Sequence, residues 1–374
     1  MEPSLFRLEA YFEEYEHVEG MNVLGSSDAR NLSLGELLRI TGAQLPPELG
    51  LGYTPPAGTP ELIDAIAALY GVATERVLVT AGANEAVFLA VTSALRAGDH
   101  ALVCRPAYQS LTEAVRLADA EVVTYDYDAQ TGFTLDVGAL VETIATLRPA
   151  LVILNTPHNP TGKLLADSDL ERILAAAAAA GSGVLVDEVM HGIVHESAAR
   201  PRSAASVSDR AIVIGSMSKV YGLGGLRIGW IVAPPDVVLR CKRWRYYTTI
   251  CPPVVAQTLA AAALRHAAEI VGANEATVRE NYRVVRQWLE TVGERFDAVP
   301  PEGGTVMLLR LRDGENAQLF ARALAEREKI FLVPCDATFG MPDGWLRLGL
   351  GPEPQRFRAG LEGITRFVQR TDGR

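Results

Sequence analysis

From about residue 60 the chain alternates helix-patterned stretches with short, continuously apolar runs, and this alternation limits the available folds more than any other feature. Helix patterns cover 60–70, 84–96, 108–118, 137–147 and 167–180, and between them lie apolar runs at 76–80, 100–104, 121–125, 150–155, 183–187 and 211–216. Runs rich in β-branched residues with no polar alternation are buried on both faces, as strands of a parallel sheet are when crossover helices cover each side. The expectation is an α/β fold with one large domain, its sheet mainly parallel and its helices on both faces. After Pro252 a long helical region reaches about residue 290, and strand-like runs at 305–311, 330–334 and 345–349 then alternate with helical pieces, the pattern of a smaller α+β domain. A chain of 374 residues also exceeds what one core usually organises. The expected division is 1–45 as a segment joining the small domain, 46–280 as the large domain and 281–374 as the small C-terminal α+β domain.

Charge and cysteine usage exclude several function classes. Acidic residues outnumber basic ones, 45 to 35, for a formal net charge of -10, which opposes extended contact with a phosphate backbone. A local basic cluster, Arg240, Lys242, Arg243 and Arg245, interleaves with Trp244, Tyr246 and Tyr247. A solvated helix face or a subunit contact is expected there, and no nucleic-acid partner. The four cysteines, Cys104, Cys241, Cys251 and Cys335, form no CxxC pair and no cluster with histidine, so neither a metal site nor a disulfide framework is expected, and a reducing cytoplasm fits. Residues 1–20 lack the basic start and apolar core of an export signal, and the apolar stretch 174–180 is too short to span a bilayer, so no membrane partner is expected.

In open parallel sheets ligands sit beyond the carboxyl ends of the strands, so the polar residues at those ends belong together. Gly82, Ala83 and Asn84 follow one strand and open a helix, where free amides cradle an anion; a glycine at such a turn is also common without a ligand. Asp187 closes an apolar strand, a low-dielectric place suited to a protonated ring nitrogen or, equally, to a cap for the next helix. Asn159 lies between two prolines in a turn-forming segment. Lys219 sits between small polar residues and the glycine-rich stretch 222–225; it is either a surface lysine or an amine free to form a Schiff base. Arg227 and Ser216 flank it as donors for a phosphate.

Taken together these segments resemble the pyridoxal 5′-phosphate enzymes of fold type I, specifically the class I and II aminotransferases, from about Leu49 to Gly351. The most specific part is Ser216-Met217-Ser218-Lys219-Val220-Tyr221-Gly222-Leu223-Gly224-Gly225-Leu226-Arg227-Ile228-Gly229-Trp230, supported by the Asn-Pro-Thr-Gly block at 159–162 and Asp187-Glu188-Val189. The resemblance implies that Lys219 carries the internal aldimine and moves the α-proton, that Asp187 pairs with the pyridine nitrogen and that Asn159 bonds the ring hydroxyl. It implies that Ser216, Arg227 and the Gly82, Ala83 and Asn84 amides hold the phosphate, and that Tyr108 stacks on the ring. Arg347 matches the arginine that binds the substrate α-carboxylate. Tyr53 matches the tyrosine that reaches the phosphate of a neighbouring subunit, which implies a homodimer with shared active sites and a small amino-acid substrate.

Two departures matter. Three residues after Asp187 the family usually carries a tyrosine; this chain has Met190, followed by His191, with His158 a second candidate substitute. The segment 25–37 lacks the family's usual glycine-rich loop and is similar to the corresponding part of capreomycidine synthase and related arginine-processing enzymes. Those relatives dehydrate, cyclise or oxidise arginine derivatives. An acid should then meet a guanidinium, with Asp28, Glu16 and Glu19 the candidates. The leading expectation is an aminotransferase, the alternative an arginine or hydroxyarginine cyclase, lyase or oxidase, and the third reading a cofactor-binding regulatory module.

Overall fold

The computed structural model describes residues 2–195, 198–292, 294–312 and 314–372. Its strands in chain order are β1 (Asn22–Val23), β2 (Val77–Thr80), β3 (His100–Arg105), β4 (Glu121–Asp126), β5 (Leu151–Asn155), β6 (Gly183–Asp187) and β7 (Ile212–Ser216). They continue with β8 (Gly229–Val232), β9 (Phe296–Val299), β10 (Val306–Leu311), β11 (Ile330–Phe331), β12 (Val333–Pro334) and β13 (Trp345–Gly349). The largest sheet has seven strands in the order β2-β8-β7-β6-β5-β3-β4. β3 to β7 pair in parallel, and β8 runs antiparallel to both β7 and β2.

Why these strands read as unbroken apolar runs is visible in their packing. Alternate residues face opposite layers: Val77, Leu102, Val152, Val184 and Val213 enter one apolar cluster, and Leu78, Val103, Ile153, Leu185 and Ile214 the other. The helices Pro60–Tyr70, Val137–Leu147 and Asp167–Ala180 contribute to the first cluster; Ala83–Ala94, Gln109–Leu117 and Pro235–Arg245 contribute to the second. With two buried faces per strand there is no polar face to alternate with; β4, at the sheet edge, departs from this and is partly to fully exposed along its length. A shared direction brings the ends of β2, β5, β6 and β7 to one edge, where Asn155 lies opposite Asp187 in the ladder and Thr80 and Ser216 both lie opposite Gly229.

A second, antiparallel sheet has the order β12-β13-β10-β9. The N-terminal segment lies against it: β1 pairs with β11 in a separate two-stranded sheet, and Leu24 O accepts a hydrogen bond from the Gly349 N–H of β13 at 2.6 Å. The helix Arg7–Tyr15 packs Tyr11, Phe12 and Tyr15 around Phe331, with ring centroids 5.0, 4.8 and 5.9 Å away.

Three sequence readings change. The long helical region after Pro252 is two helices, Val254–Arg265 and Ala267–Val292, bent by 77° at His266, whose φ of -110° and ψ of 21° leave the helical range. The run at 330–334 is two short strands in different sheets. The basic cluster is only partly a solvated face, because Arg245 is 0% exposed and its Nη1 donates to Pro56 O at 2.9 Å and to Val79 O. Arg240 does lie outside, paired with Asp236. Among the described residues no single helix is long and apolar enough to cross a membrane, and no cluster of His, Cys, Asp and Glu has metal-binding geometry.

Candidate active site

A cavity of about 340 Å³ opens at the carboxyl edge of the large sheet, between the N-terminal segment and β13. Asp28, Ala83, Asn84, Tyr108, Asn159, Asp187, Ser216, Lys219, Arg227 and Arg347 all line it, gathered from across the chain. Gly82 lies against Arg227 at its wall. Tyr53 is not part of the lining; it is 88% exposed on this chain.

One end of the cavity is built for an anion. The helix Ala83–Ala94 begins there with Gly82 as its N-cap, and the first N–H groups of a helix have no intrahelical acceptor. Gly82 has φ +86°, and a Cβ at that position would collide with Arg227 Nη2, so only glycine lets the guanidinium lie against the turn. Arg227 itself adopts φ 53° and is tied by its Nη1 to Gly224 O at 3.0 Å. Ser216 Oγ accepts the Ser218 N–H at 2.8 Å and keeps its own proton to donate.

The centre of the cavity holds a buried carboxyl and an amine. Asp187 is 5% exposed, and burial raises its pKa to about 6, against the Val189 N–H that donates to Oδ1 at 3.0 Å and the positive charge of Lys219. Oδ2 has no hydrogen-bond partner among the described residues. Asn155 Nδ2 donates to Asp187 O at 2.9 Å, and Asn155 Oδ1 accepts the Asn159 N–H at 2.7 Å, so the loop carrying Asn159 is braced against the Asp187 strand. Lys219 Nζ lies 2.7 Å from Asp28 Oδ1.

Arg347 is 1% exposed on β13. Its Nε and Nη2 donate to Gly25 O at 3.1 and 2.8 Å, its Nη1 donates to Asn159 Oδ1 at 3.0 Å, and it lies 5.5 Å from the Phe339 ring. Burial pulls its pKa down, opposed by nearby groups that include Asp28 and Tyr108. The backbone carbonyl and the amide fix the plane of the fork, which is the requirement for bidentate recognition of a carboxylate.

Apart from Glu16, the residues of the roof were not among those the sequence singled out. Leu8, Glu9, Phe12 and Glu16 line the cavity from the helix Arg7–Tyr15 and its C-cap. Tyr108 donates its hydroxyl proton to Glu9 Oε1 at 2.7 Å and packs on Phe6 at 5.2 Å. Burial, then the adjacent Glu9, push the Tyr108 hydroxyl well above its ordinary pKa, so it remains a donor. The signal was present: Leu8, Tyr11, Phe12 and Tyr15 follow the i, i+3, i+4, i+7 spacing of a helix face. Of the acids named for a guanidinium, Glu16 lines the cavity, Glu19 does not, and the Asp28 carboxylate is engaged by Lys219 and Ser26.

Neither histidine takes the place of the absent tyrosine. His158 is buried between Thr161 Oγ1 and Pro106 O, each 2.8 Å away, and burial lowers its pKa to about 4. His191 faces a different cavity. Met190 is buried, with its Sδ 3.3 Å from Thr305 Oγ1.

This donor set fits pyridoxal 5′-phosphate. Arg227, Ser216 and the amides at Gly82, Ala83 and Asn84 would hold the phosphate, and the free Oδ2 of Asp187 would meet a protonated ring nitrogen. Asn159 would reach the ring hydroxyl through its amide nitrogen, since its Oδ1 is held by Arg347.

A sequence profile of the family described as aminotransferase class I and II matches residues 47–364. Capreomycidine synthase of Streptomyces vinaceus is 29% identical over 348 residues, covering 91% of this chain and 88% of that protein. Among solved structures, the PLP-dependent cyclase OrfR superposes with a TM-score of 0.91 at 29% identity over 99% of this chain and 98% of that one. A PLP-dependent aminotransferase from Streptococcus suis 89-1591 gives 0.91 at 28% identity over 99% of each chain. With its cavity built to take pyridoxal phosphate and its sequence matching the family across both sheets, the chain belongs to the class I and II aminotransferases, enzymes that depend on that cofactor.

Proposed function

We propose that this enzyme transfers the amino group of an L-amino acid, working as a cytoplasmic homodimer. The observation that carries the reading is one cavity that unites an amine, Lys219, a buried carboxyl, Asp187, and a buried guanidinium, Arg347. When bound, pyridoxal phosphate supplies an electron sink that acidifies the α-C–H of an attached amino acid. Arg347 holds the α-carboxylate and so fixes which face of the α-carbon looks toward Lys219. Lys219 Nζ accepts the α-proton and returns it. Asp187 keeps positive charge on the ring nitrogen, and the helix Arg7–Tyr15 excludes water from above. Leu51, Tyr53, Tyr247 and Ile250 are each exposed, on two segments tied by the hydrogen bond from Thr54 Oγ1 to Pro252 O, which supports a subunit contact that carries Tyr53 to a neighbour's phosphate. The four free cysteines support a reducing location.

A second reading, an arginine or hydroxyarginine cyclase, lyase or oxidase, is favoured by the lining acids Glu9, Glu16 and Asp28. The cationic groups in the cavity are already committed to phosphate, α-carboxylate and Schiff base, so a substrate side chain meets carboxylates. Incubation with an amino-acid panel separates the readings. A keto acid with accumulation of the amine form of the cofactor supports amino transfer; ammonia, water loss or oxygen uptake with arginine supports the second. Turnover of no amino acid leaves a binding module and defeats both.

A further inference from the structure

Lys219 is not loose in the cavity. Its Nζ donates to Asp28 Oδ1 at 2.7 Å, and Ser26 Oγ donates to the other oxygen, Oδ2, at 2.9 Å. We propose that Asp28 is the positioning partner of the catalytic lysine: in the cofactor-free protein the Asp28 carboxylate holds Lys219 Nζ at a fixed place.

The segment bearing Asp28 is pinned on both sides. The Ala29 N–H donates to the carbonyl of Lys219 itself at 3.0 Å, and the Leu32 N–H donates to Gly222 O at 3.0 Å, which locks the register between the acid and the lysine loop. Gly222 adopts φ +63° with Arg30 O so close that a Cβ would collide with it. From the other side, Thr305 Oγ1 donates to Ser27 O at 2.5 Å. Asp28 thus sits at a seam between the lysine loop and Thr305, the residue before β10, and the backbones that carry the acid and the lysine are held in register. The other charged groups facing it do not compete. Arg347 directs three of its five N–H donors to Gly25 O and Asn159 and none to Asp28, and Asp187 faces the lysine from the sheet edge. The Asp28 carboxyl is held below its ordinary pKa: burial opposes this, but Lys219, Ser26 and Arg347 outweigh it.

The role differs from the guanidinium contact expected from sequence, because the acid's first partner belongs to the protein. It rests on Lys219 being the Schiff-base lysine, yet its test does not require turnover. The full-length protein, stripped of cofactor, is treated with an acetylating ester at fixed pH, and modification of Lys219 is followed by peptide mass spectrometry. The 2.7 Å contact must break before Nζ can react, and a charge-assisted hydrogen bond of this kind is worth about tenfold or more, so Asp28→Asn should be acetylated at Lys219 about tenfold faster than wild type, and Asp28→Glu should restore most of the protection. A structural role alone would lower the unfolding temperature without changing the Lys219 rate. Equal rates in wild type and Asp28→Asn overturn the proposal. Should Asp28→Asn not fold, Ser26→Ala frees the carboxylate from its second anchor and should raise the rate; no rise is equally fatal. Cofactor added to each variant reports separately on Lys219, since loss of the Schiff base abolishes the visible band whatever Asp28 does.

Discussion

Replacing Asp187 by asparagine should make the cofactor-free protein more stable at neutral pH while it removes an anchor for the cofactor. The carboxyl is 5% exposed, and its pKa rises from 3.8 to about 6 through burial, against a hydrogen bond from Val189 and the charge of Lys219. A folded-state pKa above the unfolded one means that the folded chain binds the proton more tightly. The contribution to stability is therefore complete below the unfolded value and is lost as pH rises through about 6. A separation of roughly two units corresponds to about 3 kcal/mol. Asparagine keeps an Oδ1 acceptor for Val189 and never ionises. In urea unfolding of the cofactor-free proteins, the variant should exceed wild type by about 3 kcal/mol near pH 8, with the gap closing toward about pH 4. A gap independent of pH, or a variant less stable than wild type near pH 8, would refute this electrostatic account. Bound cofactor should reverse the order, because it stabilises only the chain that binds it well.

Two further outcomes follow from the geometry. Gly82→Ala forces a side chain into positive φ and against Arg227, at roughly 1–2 kcal/mol of backbone strain alone, so the unfolding free energy of the cofactor-free protein should fall by about that much, and cofactor affinity measured by fluorescence titration should fall at least about tenfold as Arg227 is displaced. Arg347→Lys retains charge but loses the fork held by Gly25 O and Asn159; kcat/KM should drop at least about tenfold for amino acids, whereas cofactor binding should change little.

The fold was legible where physics is local. Strands with two buried faces read as apolar runs, and helices such as Pro60–Tyr70, closed by Gly71 at φ 65°, carry their own stop signal. The β8 strand was hidden inside the lysine segment because it is only four residues long and antiparallel in an otherwise parallel sheet. The site residues at strand ends could be named because a parallel sheet brings those ends together. Glu9 could not, since its relation to Tyr108 is a tertiary contact across 99 residues. The burial of Arg245 was equally opaque: its acceptors, Pro56 O and Val79 O, are backbone carbonyls with no side-chain signature. Asp28 was chosen for a substrate, and only the three-dimensional arrangement supplies its protein partner, Lys219.

The central claim is that Lys219 bonds the cofactor. Addition of pyridoxal phosphate to the stripped protein, followed by borohydride reduction and peptide mass spectrometry, tests it directly. The account requires a near-visible absorption band and a reduced adduct on Lys219, both absent from Lys219→Ala. An unchanged band in that variant, or an adduct carried by another lysine, would contradict it.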